Sequence, residues 1–444
     1  MLLLEPNFYY KEILKTYKNS FLAEDIYQVI IGIDCDYFSS DSLGELELFF
    51  EQSKKEMPKH FPKFAGIFGV MSYEMVYEFE NIGEPKPAPY KFPKLHYANA
   101  KNYLHYDKIS KIYSFYGDAE IYERLKALKE VKAEKEDNLF YEVVTNLDEE
   151  KEHFLNIIKK AKEYIQNGEA FQIVLAETLE IKTNLNSLDF YEQLKINNPS
   201  PYMFHFPTEF GDVVGSSPEL VMQIRDSEIF VAPIGGTRKR GKDANEDEAL
   251  KKELLADEKE LCEHRMLIDL ARNDVSKYSL AGSVRVSRPF SVVFYESVMH
   301  IISEVYGKKD PKFSAFDTVK TIFPAGTLSG APKIRVMQII NELERKSRGV
   351  YGGGLGFWHF NGDVQMAILI RSAMFVPNLA NGKDANSTES ASSNLDENLV
   401  YIGAGAGIVY DSVSETEYLE ICNKRNSCFK VIKELCEENR KASK

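Results

Sequence analysis

From residue 170 onward, strand-like stretches follow one another with no helix between neighbours, and this order narrows the fold more than any other feature. The β-branched run AFQIVLAETLEI leads to strand-like segments around Val213–Ser216, Leu220–Ile224 and Ile229–Pro233. Three more lie around 350–360, 364–376 and 399–410. Helical stretches cover about 246–272, 332–346 and 415–438. Upstream, DEEKEHFLNIIKKAKEYIQNG spaces Phe154, Ile157, Ile158, Ala161 and Ile165 as one helical face and stops at Gly168. A doubly wound parallel sheet requires a helix after nearly every strand. Runs of each type predict an α+β fold instead.

The first 135 or so residues alternate short β-like runs (Tyr27–Ile33, Phe64–Met71, Lys111–Tyr116) with aromatic and proline-rich connections such as IGEPKPAPYKFPK. The charged stretch LKALKEVKAEKEDN then reads as a helix or linker and sets the expected boundary, between an N-terminal region at 1–135 and a second domain at 145–444. The polar, low-complexity segment 378–398 reads as a mobile hairpin loop without catalytic residues.

The 444 residues include 55 basic and 68 acidic side chains, a formal charge of −13. That balance argues against nucleic acid or an anionic membrane as partner, since both need clustered cations over an extended face. Five cysteines without a CxxC spacing suit neither a disulfide framework nor a zinc site. A reducing cytoplasm is expected. Glu5 and Pro6 interrupt the apolar start, which does not read as a signal peptide. No run of about 18 apolar residues occurs, so no membrane span is expected.

Several stretches could carry chemistry. VAPIGGTRKRG places bare backbone at Gly235 and Gly236 beside Thr237 and three cations, which suits a small anion or simply a turn with a solvated tail. In FPAGTLSGAPKIRVMQII, Pro332 suits a first helical turn behind Gly326, Thr327, Ser329 and Gly330, either an anion site or a capped helix. DEKELCEHRMLIDLARND carries Glu260, Glu263 and His264. Glu263 shares a face with Met266, Leu267 and Leu270, and two carboxylates one turn apart suit a hard ion such as Mg²⁺ as well as a solvated face. In SETEYLEICNK, Ser414 and Glu417 have capping-box spacing, and Glu420 with Lys424 stand at i, i+4. Just upstream, Gly403, Gly405 and Gly407 permit close backbone approach. His300 lies on an apolar stretch, where a satisfied core histidine is the ordinary reading. Arg371 sits inside a β-like apolar run and calls for an anionic ligand or an internal carboxylate.

In this order, PIGGTRKRG, DEKELCEHRMLIDLARND, VMHIISEV, FPAGTLSGAPKIRVMQII, YGGGLGF, ILIRSA and GAGAGIVYDSVSETEYLEICNK resemble the chorismate-utilising enzymes, most closely their anthranilate-forming branch. The resemblance covers most of 150–430 and implies that family's fold, a large antiparallel β-sandwich flanked by helices. It implies Mg²⁺ on Glu263 and Glu420, facing the ring carboxylate of chorismate. Gly236, Thr237, Tyr351, Arg371, Lys424 and the backbone at Gly405, Ala406 and Gly407 would contact substrate. Glu219 matches the acid that protonates the departing 4-hydroxyl, His300 a histidine needed for turnover, and Thr327 a hydroxyl at the ring. Glu5 with Pro201, Tyr202 and Met203 resembles a tryptophan inhibitor site, although Pro6 replaces the serine of that pattern. Gln172 stands where water-adding isochorismate and salicylate synthases carry a lysine base. Gly235 stands where aminodeoxychorismate synthases carry a nucleophilic lysine. With neither lysine present, the implied reaction is a lyase step: ammonia attack on chorismate followed by loss of pyruvate, in tryptophan biosynthesis. The absence of a glutaminase signature implies ammonia from a separate glutamine amidotransferase subunit. Aminodeoxychorismate synthesis, isochorismate or salicylate synthesis and a non-catalytic tryptophan-binding homologue remain the alternatives.

Overall fold

The computed structural model describes residues 2–129, 138–295, 298–378 and 397–442. Almost all of the loop expected at 378–398 lies outside them, as does most of the second half of the stretch expected as a domain boundary. Among the described residues, 19 strands form one continuous sheet that curls upon itself, with antiparallel pairing throughout, and helices cover it. The α+β expectation therefore holds. No helix in the described residues is long and apolar enough to cross a membrane.

A long, largely buried ladder joins Gln172–Thr183 to Asn398–Ile408, paired from Asn398↔Thr183 to Ile408↔Ile173. Because side chains alternate across a strand, this ladder has two different faces. Ile173, Leu175, Ala404, Ala406 and Ile408 pack into a core with Phe154, Ile157, Ile158, Val336, Ile339, Ile340 and Ile421. Those partners come from three helices, Leu147–Gln166, Lys333–Leu343 and Ser414–Ala442. The opposite face presents Gln172, Val174, Gly403, Gly405 and Gly407 to a cavity. A Cβ on Gly403 would collide with the ring of Tyr351, and one on Gly407 with the amide of Gln172. Glycine at these two positions is what lets both side chains lie flat against the strand.

Strand pairing crosses the boundary expected between 1–135 and 145–444. Strand Phe21–Glu24 pairs with Tyr202–Phe206, setting Glu24 opposite Met203. Strand Gly66–Met71 pairs with Gly354–His359 over its whole length. Phe21 stacks on Phe68 with ring centroids 4.3 Å apart and meets the edge of Phe357 at 5.7 Å. An unpaired strand edge leaves a row of N–H and C=O groups unsatisfied, so the N-terminal strands, which also pair with one another, complete the later ones at their free edges.

Two local expectations are corrected. The helix expected at 246–272 is two helices, Ala244–Ala256 and Glu258–Ser276, broken at Asp257, whose carboxylate accepts from the amides of Lys259 and Glu260 at 3.1 and 3.3 Å. The strand expected at 364–376 is also broken, into Val364–Ile368 and Ser372–Pro377. Between them Arg371 takes a left-handed conformation (φ 49°).

Trp358 is fully buried, donates from Nε1 to Tyr97 at 3.1 Å and stacks on Phe316 at 4.1 Å, so it joins early and late parts of the chain. Trp358→Ala is expected to destabilise by ~3–5 kcal/mol while leaving a single melting transition by calorimetry. Two separated transitions would support the two-domain description.

Candidate active site

Walled by the glycine-lined face of this ladder, by strand Ile234–Lys239 and by helices Glu258–Ser276 and Ser414–Ala442, a cavity of about 510 Å³ opens to solvent. Gln172, Glu219, Gly236, Thr237, Glu263, His300, Thr327, Tyr351, Arg371, Gly405, Gly407, Glu420 and Lys424 all line it. Residues up to 250 positions apart in sequence thus meet in one place. A wider groove of about 1340 Å³ lies alongside and shares Lys259, Glu263 and Val409 with the cavity. Its walls include Phe171, Met266, Leu270, Ile334 and Tyr410 but not Glu219, His300 or Arg371. The smaller cavity is therefore where the reactive groups converge.

Glu219 follows Pro218 at the sharp step between strands Asp212–Ser217 and Leu220–Arg225, and its side chain is buried. Thr327, on the 3₁₀ turn Gly326–Leu328, donates from Oγ1 to Glu219 Oε1 at 2.8 Å. Burial pushes the Glu219 carboxyl up to about 7, against the opposing pull of Thr327, Lys424 and Arg371. The carboxyl is thus a proton donor near neutrality. The helix after this turn does not add an anion site: Gly330 and Ala331 pair with Ile173 and Gln172, and Lys333 binds Asp274 at 2.6 Å.

Arg371 answers the question its position raised. Among the described residues it forms no ion pair, and burial lowers its pKa from the ordinary value. Its left-handed backbone, which for a non-glycine residue costs of order 1–3 kcal/mol, places it on the cavity wall. A half-buried guanidinium without a carboxylate suits an anionic ligand.

His300 pairs in register with Thr237 across adjacent strands. A bulge with Gly236 at φ +60° brings Thr237 Oγ1 to 3.0 Å and the Gly236 carbonyl to 3.2 Å from His300 Nδ1. A carbonyl only accepts, so Nδ1 carries the proton and Nε2 is the basic nitrogen. Burial lowers the His300 pKa and keeps the ring neutral. The neighbouring cations serve the scaffold: Arg238 binds Glu253, Asp257 and Glu260, and Arg240 grips Asp247.

Opposite these groups, two helices present carboxylates with the same spacing, Glu260 and Glu263 on one, Glu417 and Glu420 on the other. Burial pushes Glu263 up to about 6, and Glu260, Glu417 and Asp257 add repulsion. Glu417 is likewise raised by burial. It bonds Ser412 instead of closing the expected capping box on Ser414. Glu420 sits 2.7 Å from Lys424 Nζ, which also donates to the Gly405 carbonyl at 2.8 Å. No preassembled group of three or more metal-binding side chains occurs among the described residues. Facing, mutually repelling carboxylates with only oxygen donors do fit a hard divalent ion. Glu260 and Glu417 lay outside the expected ligand pair, yet the E-x-x-E repeat on both helices is a signal that points to them.

Ala406 turns its methyl into the helix-side core and leaves its backbone, the part expected to meet substrate, on the cavity strand. One expectation about the lining is corrected. Glu5 is not the acid opposite Pro201, Tyr202 and Met203. It starts helix Pro6–Thr16, and the residue paired with Met203 is Glu24. A void of about 50 Å³ beside Tyr202 and Met203 is lined by Glu24. The Glu24 carboxylate is held by Lys108 at 2.5 Å, Lys195 at 2.7 Å and Tyr191 at 2.9 Å.

Thr327→Val removes a bond to the charged form of Glu219, so that carboxyl is expected to titrate roughly one to two pH units higher than in the wild type. Carbon-13 NMR of labelled glutamate measures it. An unchanged titration would show that the hydroxyl does not favour the carboxylate.

Residues 5–430 match the family model described as chorismate binding enzyme. The chain is 37% identical over 423 residues to anthranilate synthase component 1 of Aquifex aeolicus, covering 90% of this chain and 81% of that one. It is 34% identical to the protein of the same name from Methanothermobacter thermautotrophicus, covering 96% and 92%. The crystal structure of anthranilate synthase component I from Streptococcus pneumoniae superposes with a TM-score of 0.73 at 30% identity, covering 92% and 91%. Cavity and comparisons agree, and the chain belongs to the chorismate binding enzyme family.

Proposed function

We propose that this chain is the chorismate-consuming component of an anthranilate synthase, a lyase that converts chorismate and ammonia to anthranilate and pyruvate. The observation that carries the reading is the pairing, in one cavity, of a half-buried Arg371 that forms no ion pair among the described residues with a buried carboxyl, Glu219, poised near neutrality. The relatives' shared name supports it.

Chorismate is a dianion, and Arg371 and Lys424 offset its charge and orient it. Ammonia forms a C–N bond at C2, the two ring double bonds shift to C1=C6 and C4=C5, and the C4–O bond breaks. Glu219 gives its proton to the departing hydroxyl, which leaves as water, and the new ammonium returns a proton to the Glu219 carboxylate. His300 Nε2 then takes the C2 proton, the C3–O bond breaks, and the enolpyruvyl group leaves and is protonated to pyruvate. The ring becomes aromatic. Glu263 and Glu420 would hold Mg²⁺, which when bound supplies positive charge against the ring carboxylate.

Two positions favour ammonia attack at C2 over the relatives' chemistry. A Cβ on Gly235 would sit 3.1 Å from His264 Nδ1 and 3.2 Å from Leu267, so a lysine nucleophile there has to displace both. Gln172 offers an amide in place of a lysine base, and an amide does not activate water. The name "component 1" supports a second component, which we read as a glutamine amidotransferase that delivers ammonia.

Purified protein given chorismate, Mg²⁺ and ammonium is expected to release anthranilate and pyruvate in equal amounts, with loss of activity under chelation and recovery on adding Mg²⁺. Aminodeoxychorismate or isochorismate as product overturns the reading. Glu219→Gln is expected to cut turnover by ~10²–10⁴-fold while chorismate still binds. In the wild type, activity falls as pH rises through about 7, because the acid loses its proton. For tryptophan, the void beside Tyr202 and Met203 is only about 50 Å³ and the Glu24 carboxylate is already held by two lysines, so an indole requires this region to open. Activity at millimolar tryptophan is expected to stay within about twofold of the uninhibited rate, and strong inhibition would show that this region opens.

A further inference from the structure

We propose that the buried Arg348–Glu344 pair is a positioning device for the cavity, locking the Gly326–Leu328 turn to the 172–183 strand so that Thr327 meets Glu219. Neither residue lines the cavity. The pair sits behind it, after helix Lys333–Leu343, with Arg348 4% and Glu344 6% exposed.

The guanidinium is used on every side. Nε and Nη2 donate to the Glu344 carboxylate at 3.0 and 2.6 Å. Nη1 donates to the Leu328 carbonyl at 2.6 Å, and Nη2 to the Val174 carbonyl at 2.8 Å. Glu344 in turn accepts from the Ala176 amide at 2.9 Å. The guanidinium lies over the Tyr73 ring, 4.6 Å from its centroid. Three consequences for the cavity follow from these contacts. Leu328 is the residue after Thr327, so its carbonyl fixes the turn whose hydroxyl holds Glu219. Val174 and Ala176 are the partners of Gly407 and Gly405, so the pair fixes the ladder where it meets the cavity. Finally, the Tyr351 amide donates to the Arg348 carbonyl at 3.2 Å, which ties the same residue to a third wall.

Apolar side chains of the same size would fill this space but would remove the partners of two carbonyls and one amide, at a cost in stability for each group left unpaired. Lysine keeps the charge but cannot reproduce a planar fork that reaches three acceptors at once. The pair's geometry is therefore specific to holding backbone in register rather than to charge alone.

The kinetic consequence rests on the functional reading above, while the structural one does not, and the test separates them. In Arg348→Lys, amides of Val174, Leu328 and Ser329 are expected to exchange hydrogen about tenfold faster, while the ladder between 28–40 and 95–107 changes less than about twofold. With chorismate and ammonium, kcat is expected to fall about 30-fold and KM to move less than about threefold, because orientation of the acid is lost and substrate contacts remain. Unchanged exchange at those three amides overturns the proposal, as does acceleration spread evenly over the molecule or a kcat within twofold of wild type. Where Arg348→Lys does not fold, E344Q/R348M, which leaves no buried charge unpaired, is judged by the same criteria. A wild-type protein that forms no anthranilate defeats the functional reading alone, and the exchange measurement still decides the positioning role.

Discussion

The ladder between 172–183 and 398–408 is the constraint on which the rest depends. Its alternation gives one face to three helices and the other to the cavity, so a single register decides which side chains are structural and which are chemical. A slip by one residue would exchange the two sets, sending Ala406 and Ile408 into the cavity and the glycines against the helices. The core of Phe154, Ile158, Ile339 and Ile421 makes that exchange costly, since each buried side chain of this size contributes ~1.5–3 kcal/mol. Stability of the helix layer and accuracy of the site are thus one property.

The cavity built on that ladder holds opposed charges with little internal compensation. Arg371 stands without a carboxylate among the described residues, Glu219 and Glu263 are pushed upward by burial, and Glu417 is raised beside them. Each group favours a neutral form or an absent partner, and under the reading proposed above a dianion with a divalent cation would relieve them together.

The α+β class was legible because it follows from the order of elements, and the site residues because their motifs fall in the cavity almost without exception. Position in space was harder to read. Glu24 carries no local sign that it lies opposite Met203, since that pairing spans some 180 residues and depends on the whole sheet. Glu5 was the nearer match in pattern and the wrong one in register. Asp257 looked like a polar residue inside a helix, yet its carboxylate caps the amides beyond and breaks the helix in two. Arg371 looked like part of a strand because its neighbours are apolar, and only the backbone reveals the break. Arg348 gave least away. A single arginine in a polar connection ordinarily faces solvent, and its burial follows only from three distant segments closing over it.

The edge-to-edge joining of early and late strands has a consequence for biosynthesis. Strand 66–71 is hydrogen-bonded to 354–359, so it leaves the ribosome about 290 residues before its neighbour exists, an interval of roughly 15–60 s at ordinary elongation rates. Through that interval Phe68, Val70 and Met71 belong to a sheet with one open edge. Pairing over such a separation slows folding, and until residue 354 is made the open edge is a template for strand addition by other chains.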